Sequence, residues 1–178
     1  MTEYSTSSLS PAGKWWITTG GLGFMRPASG TWGSLPPCVV AATLLHFGQA
    51  GWTYDIVMTG LMVTFGVACV VLGDAAEARF GRKDPGQVVA DETCGMCIPL
   101  LGLDERVLHQ PLPALGSIGF AFLAFRFLDI VKPWPARGLQ SVPGGWGILL
   151  DDLVAGLYAA VAMQVVSRMW VVPWVAGS

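Results

Sequence analysis

The sequence predicts an all-α fold: a compact helical multi-pass membrane protein with about four or five apolar helices. Two observations carry this expectation. The 178 residues are 53% hydrophobic and 12% charged, with a mean hydropathy of +0.56. That charge content is about half the share usual in soluble proteins. The apolar residues also gather in runs that approach or reach the ~20 residues needed for a helical bilayer crossing. A soluble all-helical domain with an unusually large core is the alternative, and the length of the runs argues against it.

In chain order, residues 1–13 are polar and rich in Ser and Thr, which predicts a loose N-terminal tail. Met1 to Ser10 lacks a basic segment followed by an apolar core, so no secretory signal peptide is expected. Lys14-Trp15-Trp16 suits a membrane interface, where Trp is enriched. The stretch Thr18 to Ser34 holds five glycines, together with Arg26, Thr31 and Ser34. Glycine at this density allows backbone amides to approach a phosphate closely, and the side chains add donors. A plain flexible linker explains the same composition, and no Gly-Lys-Ser/Thr ends the stretch as a P-loop would require.

Apolar segments follow at about 35–50, 54–73, 92–104, 112–128 and 148–167. The first and third are short and could be re-entrant. Residues 74–92 are the most charged stretch. Asp84-Pro85 there suggests an N-cap with proline at the first helical position, opening a helix that carries Asp91 and Glu92. Pro99 is placed to kink that helix. Asp104 to Arg106, with Pro111 and Pro113, marks a loop. Pro133 and Pro135 end the next apolar segment, and Pro143 to Gly147 breaks the chain again. Trp170 and Trp174 look interfacial. No internal repeat is visible.

With five crossings, loops 74–91 and 129–147 share a side with the N-terminus. That side holds Lys14, Arg26, Arg79, Arg82, Lys83, Lys132 and Arg137, so it is expected to be cytoplasmic. It also collects Asp74, Glu77, Asp84, Asp91, Glu92, Asp129, Asp151 and Asp152. Charges are costly in apolar surroundings, about 2.5–3.5 kcal/mol each at the centre of a membrane helix. Convergence of distant acids on one face is not something apolar packing requires.

Hard cations such as Mg²⁺ take oxygen ligands and are often held by a few carboxylates plus substrate phosphate. Asp91, Glu92, Asp129, Asp151 and Asp152 are the candidate metal ligands. Adjacent acids on a helix point about 100° apart, so each pair is expected to give one inward ligand and one flanking group. Simpler roles stand beside this one. Asp151 suits the positive end of its helix, and Asp129 is spaced to pair with Arg126. Asp84 fits a cap better than a ligand, and Asp74 and Glu77 fit a solvated helix end. His46 and His109 fall near the opposite side and fit structural roles, which leaves a carboxylate to activate water. Cys38, Cys69, Cys94 and Cys97 lie mostly in apolar runs. The lone Cys94-x-x-Cys97 lacks a partner pair, so apolar packing is the better reading. The net charge of −2 gives no sign of a nucleic-acid partner.

Three blocks resemble the phosphatidylglycerophosphatase A family. Gly30-Thr-Trp-Gly-Ser34 is similar to its Pro-Gly-Thr-x-Gly-Ser block. Asp84-Pro85 with Val89 to Gly95 is similar to its Asp-Glu-x-x-Gly block. The third block is Phe125 to Asp129, Lys132 to Pro135 and Gly144 to Gly156. The likeness spans about residues 18–160, and the third block is highly specific. Ser29 departs from the pattern, standing where the family usually has proline.

The resemblance implies a helical domain over residues 14–178 and a bacterial inner-membrane, Mg²⁺-dependent phosphomonoesterase. Its lipid substrate in the bilayer would be phosphatidylglycerophosphate, and its product, in phospholipid biosynthesis, phosphatidylglycerol. The catalytic candidates are Asp91, Asp129, Lys132 and Asp152. The phosphate-binding candidates are Arg126, Thr31, Ser34, Gly30 and Gly33. Oligomeric state is left open. A small ion-coupled transporter using the same carboxylates is the rival reading. It would place charges near the bilayer midplane and show a repeat. A membrane scaffold with a structural ion-pair network is a third, and predicts no metal dependence of any activity.

Overall fold

A computed structural model describes residues 9–177. Helix accounts for 77% and no strand occurs among the described residues, in keeping with the all-α expectation. Of the expected N-terminal tail, residues 1–8 lie outside the described residues. Its last part is already helical. α1 (Pro11–Ile17) opens on Ser10, whose Oγ accepts from the Gly13 N–H at 3.0 Å, with Pro11 in the first turn.

A short 3₁₀ turn (Leu22–Phe24) leads into α2 (Ser29–His46), followed by α3 (Trp52–Phe80) and α4 (Ala90–Leu101). The one-turn α5 (Glu105–Leu108) precedes α6 (Pro111–Val131). Another short helix, α7 (Ala136–Leu139), leads to α8 (Gly145–Val166), which continues through a π turn (Ser167–Val171) into α9 (Val172–Gly177). Gly30 at the start of α2 lies against Glu92 and Arg126, whereas His46 at its end shares a cavity wall with His109 and Pro111. The long helices therefore run end to end through the bundle. α2, α4 and α8 lead away from the acid-bearing end, and α3 and α6 lead toward it.

Three helices are long and apolar enough to cross a membrane among the described residues: Trp52–Phe80, Pro111–Val131 and Gly145–Gly177. This is fewer than the four or five expected. The segments at 35–50 and 92–104 form α2, which is continuous through Pro36 and Pro37, and α4, only 12 residues long. The three long helices turn Val63, Val67, Leu123, Phe127, Leu157 and Val161 outward. An apolar surface of that extent marks a membrane protein. α4 is the inverse case. Nine of its residues are buried, and it packs chiefly on α8 and α3. Cys94 and Cys97 are buried within it, and Cys38 and Cys69 are buried on its neighbours, as apolar packing predicts.

Glycines set how closely these helices cross. A Cβ on Gly156 would lie 2.4 Å from the Gly95 carbonyl oxygen, and one on Gly95 would lie 2.7 Å from that of Asp152. α4 and α8 thus touch backbone to backbone. Gly73 and Gly145 do the same for α3 and α8. Gly145→Ala would bring its Cβ to 2.2 Å from the Cys69 oxygen and 2.7 Å from the Val70 Cα. Backbone cannot swing aside as a side chain can. We expect this substitution to lower stability by about 1–3 kcal/mol or more, read as a drop in the thermal midpoint in detergent. An unchanged midpoint would mean that the crossing tolerates a methyl group.

Three local expectations change. Asp84 does not cap α4, which starts six residues later. It sits in a turn with φ +46°, its N–H donating to Glu77 Oε1 at 3.2 Å. Glu77 is accordingly buried rather than solvated. Ser29 to Ser34, read as part of a glycine-rich loop, is the first part of α2. Ser29 occupies the first helical position, where proline's fixed φ is favourable but not required.

Candidate active site

The glycine crossing of α4 and α8 also assembles the site. Asp91 and Glu92 lie about one turn before Gly95, and Asp152 lies about one turn before Gly156. Since the two helices run the same way, their carboxylates meet. One oxygen from each of Asp91, Glu92 and Asp152 lies within 4.8 Å of the other two. Asp91 is 6% exposed and Asp152 2%. Asp91 Oδ1, Glu92 Oε2 and Asp152 Oδ2 are buried with no hydrogen-bond partner. Three carboxylates this close repel one another, and their orphaned oxygens are poorly solvated, so the group needs either protons or a cation.

The expectation that one acid of each pair points inward holds for α8 only. Asp152 enters the cluster, while Asp151 turns to Lys132 at 2.5 Å and to the Gln140 amide at 3.0 Å. In α4 both Asp91 and Glu92 enter, the longer glutamate side chain spanning the angular offset.

α6 supplies the other wall. Asp129 accepts from Arg126 Nη1 at 2.6 Å, the i, i+3 pair its spacing suggests, and it also reaches Asp152. Lys132 follows the last residue of α6 in a left-handed conformation, φ +47°, and its N–H donates to the Leu128 carbonyl. That turn aims the side chain at Asp151 instead of along the helix. Burial works against the Lys132 ammonium, but the hydrogen bond and charge of Asp151 outweigh it and leave its pKa above the ordinary value.

The expected phosphate-binding residues divide. Gly30 lies in the site: a Cβ there would sit 2.5 Å from Glu92 Oε1 and 2.8 Å from Arg126 Nη1. Thr31 is half-buried on the same first turn of α2. Ser34 is fully buried behind Arg126, its hydroxyl donating to the Gly30 carbonyl at 2.8 Å and accepting from Arg126 Nη1 at 3.5 Å. Gly33 faces Val89 and serves the α2–α4 contact, which Thr93 reinforces by donating to the Gly33 carbonyl at 2.8 Å.

Sequence reasoning missed two residues. Gln140 braces Asp151, and nothing in its local sequence marks it. Asp84 lies within the electrostatic reach of Lys132, Asp151, Arg82 and Asp129. Burial holds its carboxyl above the ordinary range, with Lys132 pulling the other way. The acidity of its loop was the available signal, and the following proline directed it to a capping role instead. His46 and His109 line a separate cavity of about 360 Å³ at the far end, consistent with their exclusion from the site.

Comparison with known proteins places this geometry. The description of the phosphatidylglycerophosphatase A family matches residues 15–167. A Bacteroides thetaiotaomicron protein named putative phosphatidylinositol-3-phosphatase is 34% identical over 160 residues, covering 88% of this chain and 93% of that protein. The phosphatidylglycerophosphatase A of Haemophilus influenzae is 32% identical over 148 residues, covering 80% and 81%. The Escherichia coli K12 protein of the same name is 35% identical over 112 residues, covering 62% and 61%. No solved structure matches the chain. Matched over residues 15–167, which include every element that builds the acid cluster, the chain belongs to the phosphatidylglycerophosphatase A family.

Proposed function

We propose that the protein is a Mg²⁺-dependent lipid phosphatase that hydrolyses the terminal phosphomonoester of phosphatidylglycerophosphate to phosphatidylglycerol and phosphate. We further propose that it works in phospholipid biosynthesis in a bacterial inner membrane, with its site facing the cytoplasm. The single observation that carries the reading is the buried trio of Asp91, Glu92 and Asp152, with three unpartnered oxygens beside two tethered cations. An all-oxygen donor set fits Mg²⁺, and the orphaned oxygens fit a bound cation better than an empty core. Basic residues at the acid-bearing end, among them Arg26, Arg82, Lys83 and Lys132, support the cytoplasmic orientation.

In this reading Asp91, Glu92 and Asp152 would hold the ion, with Asp129 at the edge of the set. When bound, the ion would neutralise charge on the phosphoryl group and lower the pKa of water. Arg126 and Lys132 bind the remaining phosphate oxygens. Their heads are positioned by Asp129 and Asp151 before substrate arrives, so little reorganisation is needed as charge develops. Asp129 orients the attacking water and accepts its proton. The water oxygen bonds to phosphorus as the bond from phosphorus to the glycerol oxygen breaks, and the departing alkoxide takes the proton that Asp129 has accepted. Asp151, through Lys132, is a positioning residue. Apolar surface between the long helices accommodates the acyl chains.

Phosphate release from phosphatidylglycerophosphate by the purified protein in detergent tests the reading. Release with Mg²⁺ that stops with EDTA is the expected result. No release from folded protein would overturn the activity, and release indifferent to EDTA would overturn the carboxylate–metal mechanism. The name of the Bacteroides relative makes phosphatidylinositol 3-phosphate the informative second substrate. It too carries a phosphomonoester on an anionic diester headgroup, and faster release from it would reassign the substrate while keeping the chemistry.

A further inference from the structure

The proposed mechanism leaves unused a cavity at the same end of the bundle, which carries two arginines. It measures about 440 Å³, is open to the surface and lies between residues 23–29 and residues 82–87. Arg26 and Arg82 flank it, and Ser29 forms the wall toward the acid cluster. Gly30, the next residue, is the one that touches Glu92 and Arg126. The cavity and the acid cluster are therefore separated by about one residue of α2.

Its walls are fixed. A Cβ on Gly23 would lie 2.0 Å from the Gln87 carbonyl oxygen, so the 3₁₀ turn and the 82–87 loop meet backbone to backbone. Phe24 is held edge-on by Phe80 and lies under the Lys14 ammonium, 4.9 Å from the ring centre. Arg82 donates to the Asp84 carbonyl at 3.1 Å, and the Asp84 N–H is in turn held by the buried Glu77. Among the described residues no carboxylate lies within ion-pair distance of Arg26 or Arg82. Asp84, two residues on, is near enough for its charge to act on Arg82, but neither guanidinium is closed off in an ion pair. Two such groups on one cleft are suited to a phosphate anion.

We propose that this cleft is a subsite for an anionic phosphodiester, the group that joins a lipid headgroup to its diacylglycerol. The inference rests on the lipid-phosphatase reading. With the terminal phosphomonoester at the acid cluster, the substrate's second phosphate has to lie nearby, and the cleft is the adjacent cationic surface. It would let the enzyme select a phosphomonoester borne on a diester headgroup over a simple phosphomonoester. The same chemistry is offered by a neighbouring anionic lipid in the bilayer, and the test separates the two sources.

Dihexanoyl-phosphatidylglycerol, which carries the diester and no phosphomonoester, is titrated calorimetrically into the full-length protein in detergent. The expected result is binding by the wild type that weakens roughly tenfold or more in the Arg26→Gln/Arg82→Gln double variant. Arg26→Lys with Arg82→Lys should recover part of it. Titration with inorganic phosphate should be unaltered by either pair. Equal binding of the short-chain lipid to wild type and double variant, no binding to wild type, or parallel loss of phosphate binding would each overturn the proposal.

A kinetic arm assigns the source. The KM for phosphatidylglycerophosphate is measured in micelles of zwitterionic carrier and then with added phosphatidylserine. A raised KM in the double variant in both carriers assigns the cleft to the substrate's own diester. A difference confined to the anionic carrier assigns it to a neighbouring lipid. Wild-type protein that releases no phosphate would defeat the proposed activity, yet the calorimetric arm would still decide the cleft.

Discussion

Asp152→Asn is expected to lower phosphate release by about 10²–10³-fold or more without loss of fold. Asp152 is the only acid of α8 that enters the cluster, and it lies between the α4 pair and Asp129. Replacing it by an amide of the same size removes one charged oxygen donor and leaves the α4–α8 backbone contact at Gly95 and Gly156 untouched. In the absence of metal the variant should be no less stable than wild type, because one of three mutually repelling buried carboxylates is gone. The stabilisation that Mg²⁺ confers by binding the native state should shrink or vanish. Thermal denaturation in detergent, with and without Mg²⁺, reads both effects. Turnover near the wild-type level, or an undiminished Mg²⁺ shift, would remove Asp152 from the site.

Gly30→Ala should be the second most damaging change to activity, and for a different reason. The added Cβ would fall 2.5 Å from Glu92 Oε1 and 2.8 Å from Arg126 Nη1. These are the ends of flexible side chains, so the fold can yield where it could not at Gly145. What moves is one carboxylate of the cluster and one phosphate-binding cation. Displacements of about 1 Å in such groups cost about 10²-fold in rate. The expected outcome is a loss of that order with the thermal midpoint little changed. A large fall in the midpoint would mean that Gly30 serves packing, and unchanged turnover would show that the site has slack at Glu92 and Arg126.

The sequence by itself determined the helical class, the apolar runs that become α3, α6 and α8, and the gathering of acids and bases at helix ends. Each is a local property. Helical length, hydropathy and the stops at Pro133 and Pro135 act within a few residues of where they are written. The resemblance to the family was equally legible, since it lies in contiguous blocks such as Gly144 to Gly156.

Tertiary structure decided which acids face one another. Asp151 and Asp152 are indistinguishable as neighbours in sequence, and only the crossing at Gly95 and Gly156 turns Asp152 inward and leaves Asp151 to Lys132. The number of long helices was misjudged because α4 is apolar from burial on all sides, and composition does not separate contact with protein from contact with lipid. Ser34 and Gly33 are legible as part of a glycine-rich stretch suited to phosphate, but their roles depend on what packs behind them, Arg126 and Val89. Asp84 shows the same limit from the other side. Its proline neighbour spoke for a cap, and only the approach of α6 and α8 brings Lys132, Asp129 and Asp151 to it. Periodicity and composition fix what a segment becomes; the directions of its side chains toward distant partners follow from interhelical contact, which no local pattern encodes.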